Sequence, residues 1–96
     1  MLEDEREVLI DEFLKKLEGF LSNPDSIDTA VFAMSAEDFL YENEEKMLEE
    51  NRHATEFMVK ELYWPLADAN AENTDWFIGE LNRLIPQVKA MLKKLE

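Results

Sequence analysis

The only imidazole in this chain belongs to His53, so a Ser-His-Asp triad would have to use it. A Ser-His-Asp arrangement would pair it with Ser22, Ser26 or Ser35, and none of those serines stands in a Gly-x-Ser-x-Gly turn. The glycines, Gly19 and Gly79, are isolated, so no glycine-rich loop can cradle a phosphate. The absence of cysteine removes thiol nucleophiles, disulfides and Cys/His zinc sites. Glu50 and His53 have the Glu-x-x-His spacing of di-iron bundles, but such centres need that motif twice plus two further glutamates, and a second histidine is lacking. A solvated helix turn is the simpler reading. These residues predict no catalytic constellation, no metal site and no cofactor.

Carboxylate pairs offer one further chemistry. Glu42 and Glu45 stand three apart, as do Glu72 and Asp75 later in the chain. The order E-x-x-E then E-x-x-D resembles the Mg²⁺-binding pattern of the all-α nucleotide pyrophosphohydrolases of the MazG type. The resemblance covers these four positions alone. It implies Mg²⁺-dependent hydrolysis of a nucleoside triphosphate, which ranks as the third functional reading here.

Charge gives the strongest signal. Residues 1–50 hold 16 Asp or Glu against 4 Lys or Arg, and residues 51–96 hold 7 against 6, so nearly all of the net charge of −13 lies in the first half. A field of that sign repels nucleic acid and anionic membrane and attracts basic protein surfaces. Direct nucleic-acid binding would need a basic stripe. The only local excess, Lys89, Lys93 and Lys94, is explained by the negative end of a helix dipole. No apolar run approaches the ~20 residues of a membrane span, and MLEDEREVLI carries acids where a secretory leader carries bases. The expectation is a soluble, cytoplasmic protein.

The elements that must position these groups are helices. Few glycines and prolines and no sustained alternation predict an all-α fold. Its 46% hydrophobic content and ten aromatics argue against disorder. The first helix is predicted over 3–21, with Ile10, Phe13, Leu14, Leu17, Phe20 and Leu21 on one face. Ser22–Asp25 stops it. Pro24, with Asn23 as cap, opens a short helix over 24–34 on which Ile27, Ala30, Val31 and Met34 share a side. Ser35 reads as the cap of a third helix over 36–63, striped by Leu40, Met47, Ala54, Met58 and Leu62, with Asn43 and Asn51 on the same side; Pro65 ends it. ADANAENT (67–74) is a loop. The last helix carries Phe77, Leu81, Leu84, Val88, Met91 and Leu95 at heptad spacing, with Pro86 predicting a bend near 82–86. The whole is expected to be a single domain, 1–96, a bundle of about four helices, one short. The heptad face over 77–95 would also permit a homodimer.

Two surfaces are candidates for a partner, each with a plainer alternative: a solvated face that keeps the chain soluble for the first, and a small satellite core that fixes the loop for the second. One is an acidic face built from Glu37, Asp38, Glu42, Glu45 and Glu49 on the third helix and Asp4, Glu7 and Asp11 on the first. The other is an aromatic group around the loop, with Tyr63, Trp64 and Trp76 as anchors and Trp64 the most exposed. The leading expectation is a non-enzymatic module that inhibits or regulates a basic protein, in the manner of immunity proteins and antitoxins. A structural or oligomerisation module is the alternative.

Overall fold

The computed structural model describes residues 8–93, the last through its backbone only, and those residues form an all-α bundle. Four α-helices follow one another: α1 (Val8–Ser22), α2 (Thr29–Glu50), α3 (Arg52–Asp68) and α4 (Thr74–Lys93), with a single 3₁₀ turn at Pro24–Ser26 between the first two. The extents, 41 × 23 × 22 Å, are about one helix length by two helix diameters. No described helix is long and apolar enough to cross a membrane.

Burial follows the predicted stripe of α1: Ile10, Phe13, Leu14, Leu17 and Phe20 are all in the core. At one end of the bundle Phe20 stacks on Phe32 at 4.4 Å, and Phe77 of α4 tilts against both at 5.6 and 6.3 Å. In the middle, Phe13 stacks on Phe39 of α2 at 5.8 Å. The start of α1 is held from a distance. Both Glu50 carboxylate oxygens accept the Leu9 N–H, at 3.0 and 2.9 Å, and one also accepts the Ile10 N–H at 3.1 Å. A negative group suits the donor-rich end of a helix.

The middle of the chain departs from the expectation. Proline at 24 opens only the 3₁₀ turn, and no side-chain cap comes from Asn23. Helix α2 starts at Thr29, where Asp28 Oδ1 accepts the Ala30 N–H at 3.1 Å, and it runs unbroken through Ser35. The break falls at Asn51 instead. Its N–H still bonds Met47 O, ending α2, while its Oδ1 accepts the Ala54 N–H at 3.0 Å and starts α3. Thr55 Oγ1 then donates to the same Met47 carbonyl at 2.8 Å, tying the corner from both sides. Asn51 is thus a buried cap. Asn43, by contrast, donates from its amide to Phe39 O, within α2. Pro65 does not end α3; its ring is buried and the helix continues to Asp68, whose carbonyl accepts from Asn73 Nδ2. Helix α4 is one continuous helix through Pro86, and the bend expected there is not clearly visible.

An acidic outward face on α2

Across the Asn51 corner α2 and α3 run antiparallel, so α2 turns one side to the core (Phe32, Ala33, Ala36, Leu40, Met47) and the opposite side to water. On that outer side Asp38, Glu42, Glu45 and Glu49 are all exposed. Their 4-3-4 spacing aligns them in one row. None of the four is in an ion pair among the described residues. Each neighbouring like-charge pair weakens a helix by about 0.2–0.5 kcal/mol, and Lys46, four residues after Glu42 and three before Glu49, offsets part of that, so the row costs α2 less than about 1 kcal/mol. The row also approaches the C-terminal end of α2, where no basic residue is present and the helix dipole is negative. Local electrostatics oppose this arrangement twice.

The expected contribution of the first helix is different. Asp4 and Glu7 lie outside the described residues. Asp11 is exposed and paired with Lys15 at 3.2 Å. It stands seven residues before Glu18, whose carboxylate pairs with Lys89 of α4. The side of α1 toward α2 carries Lys16 instead, its ammonium 5.9 Å from the Phe39 ring centre. Helix α1 therefore turns Asp11 toward the α4 side and away from the α2 row. Glu37 is half-buried, on the flank of α2 that meets α3.

The aromatic group divides. Phe77 is core, and Tyr63 is half-buried in the α2–α3 seam. Its hydroxyl is buried without a hydrogen-bond partner among the described residues. Burial first, and then the negative charges of Glu44 and Glu37, push the phenol up to about 12. Trp64 (66% exposed) and Trp76 (37%) face outward on α3 and α4. Arg83 of α4 donates to Glu80 at 2.7 Å, and that bond, with a smaller contribution from Glu61 of α3, holds its guanidinium above its usual pKa. Neither tryptophan stands on the helix that carries the acidic row.

What the sequence reading missed is apolar. Val31 (55% exposed), Met34 (61%) and Tyr41 (74%) stand on the outer side of α2. Of the set predicted to share a side, Ile27, Ala30, Val31 and Met34, three are exposed and Ala30 is half-buried. Residues 31, 34, 38, 41 and 45 repeat at 3-4-3-4, so apolar and acidic residues share one stripe. The signal was this spacing; nothing in it says which way the stripe points.

The other candidates take definite places. Glu50 and His53 lie on different helices, with Glu50 occupied at α1 and His53 exposed. Thr29 and Thr74 share an Oγ–Oγ hydrogen bond of 2.7 Å, which puts Glu72 and Asp75 at the N-terminal end of α2. Glu42 is roughly 20 Å farther along that helix. The two carboxylate pairs therefore do not surround one ion, and no described cluster of three Asp, Glu or His could hold a metal. On α4, Phe77, Leu81, Leu84 and Val88 are fully buried within the chain, while Leu95 lies outside the described residues. No family model matches this chain, and comparisons with curated proteins and with solved structures found no match.

Proposed function

We propose that this chain is a non-enzymatic binding module that takes up a basic protein along the outer side of α2, with Asp38, Glu42, Glu45 and Glu49 as the receiving row. The observation that carries this reading is the row's cost. Four carboxylates that form no ion pair among the described residues align on one exposed helix, with Lys46 alone beside them, against their own repulsion and against the dipole. Positions where local rules are broken with little local compensation are where function is expected. Such a row accelerates encounter with a cationic surface and loses its effect as salt screens it. The partner class that fits is a basic, nucleic-acid-processing or toxic protein held inactive by the module, as immunity proteins and antitoxins do. A cysteine-free chain suits work in a reducing cytoplasm.

The test is charge reversal. Glu42→Lys with Glu45→Lys moves the formal net charge from −13 to about −9 and leaves the core untouched. Affinity capture from the native host with the parent chain and with this variant, at about 50 and about 300 mM salt, reads the outcome. A basic protein retained by the parent, released by salt and lost by the variant supports the reading. Equal retention by both proteins refutes it.

A further inference from the structure

The acidic row is only part of the exposed stripe of α2. Toward its N-terminal end the stripe is apolar: Val31 and Met34, then Tyr41 set between Asp38 and Glu42. We infer that the partner element seated on α2 is a basic amphipathic helix, its apolar side chains against Val31, Met34 and Tyr41 and its cations against Asp38, Glu42, Glu45 and Glu49.

This rests on the binding reading above and names its partner's shape. The exposed stripe from 31 to 49 is about 27 Å long, the footprint of a helix of about 18 residues. An amphipathic helix carries its apolar anchors at three-, four- and seven-residue spacing, and the exposed apolar residues of α2, Val31, Met34 and Tyr41, stand three and seven apart on one side to meet them. Tyr41 adds an aromatic face beside carboxylates, a setting that accepts a lysine or arginine side chain both by ion pairing and over the ring.

Charge selects among occupants. A second copy of this chain would bring another acidic row and a net charge of −13 to the same face, so its rows would repel where its apolar ends met. An anionic lipid surface is repelled for the same reason. A segment with apolar residues and lysines or arginines on one side meets neither obstacle.

The probe is a pair of synthetic peptides of about 18 residues: one with leucines at helical spacing in its first half and lysines in its second, the other with those leucines replaced by serine at equal charge. Binding of each to the full chain is read by fluorescence anisotropy. The leucine peptide is expected to bind about tenfold tighter than the serine peptide. That preference should vanish in Val31→Ser with Met34→Ser, two exposed changes that circular dichroism should show to leave the helices intact. In the Glu42→Lys, Glu45→Lys variant both peptides should weaken. Equal, salt-sensitive binding of both peptides would leave the acidic reading standing and overturn the amphipathic helix. Binding of neither would overturn both. A preference that survives the Ser variant would place the anchors elsewhere. A dimer in sedimentation that the Ser variant abolishes would make a second copy the occupant and overturn the inference.

Discussion

Tyr63→Phe tests the packing of the α2–α3 seam through its sign. Tyrosine-to-phenylalanine changes that break a hydrogen bond usually destabilise by about 1 kcal/mol. Here the hydroxyl is buried and makes no hydrogen bond among the described residues, so its desolvation is uncompensated. Removing it should leave stability near neutral pH unchanged or raise it by about 1 kcal/mol. The pH dependence follows from the phenol being pushed up to about 12 in the fold. An unfolded phenol titrates near 10, so between about pH 10 and 12 the unfolded chain gives up a proton that the folded chain keeps. The stabilisation is complete below about pH 10 and disappears as pH rises through about 12. At about pH 11 the parent should have lost stability relative to Tyr63→Phe, by less than about 1.4 kcal/mol because solvent at the half-buried ring screens part of the effect. Urea unfolding followed by tryptophan fluorescence, on both proteins at about pH 8 and about pH 11, measures it. The common titration of the lysines cancels in the difference. A loss above about 1 kcal/mol for Tyr63→Phe near neutral pH, or parallel pH curves for the two proteins, would refute the reasoning.

Two further changes probe the helices. Glu50→Ala removes the carboxylate that receives the Leu9 and Ile10 amides and should cost about 1–2 kcal/mol, with hydrogen exchange at those two amides rising more than elsewhere in α1. Pro86→Ala should stabilise by about 1–3 kcal/mol, because the exposed ring packs on little and the new N–H can bond Asn82 O; melting should rise by several degrees, and an unchanged transition would show the proline to be accommodated without cost.

The fold was most legible where apolar spacing and core direction coincide. Phe77, Leu81, Leu84 and Val88 read as one face and are one buried face. The Asn51 corner was hidden because Met47, Ala54, Met58 and Leu62 keep helical spacing straight across it. Two antiparallel helices joined by one residue present the same periodicity as one long helix. Pro65 misled in the opposite sense. It comes one turn before the natural end of α3, and its buried ring offsets part of the bond it cannot make. Val31 and Met34 show why the site was only partly readable. Spacing identifies which residues share a side of a helix, whereas facing water or core depends on where the neighbours pack. The acidic row was visible as composition, but the rotation that takes Asp11 away from it depends on Lys16 meeting Phe39 and Glu18 meeting Lys89.

The Asn51 corner also bears on topology. One residue, at φ −162° and ψ 98°, separates two helices that would form a rod of about 60 Å over residues 29–68 if its backbone turned helical. The rod would carry α3 and α4 away from α1 and α2. A second opened chain would restore every interface reciprocally, giving an intertwined pair with the same core. What keeps the hairpin closed is local: the Asn51 Oδ1 bond to Ala54 and the Thr55 bond to Met47. Alanine at 51 removes the first and favours helix, so Asn51→Ala should raise the share of exchanged pairs at high concentration, which sedimentation would read.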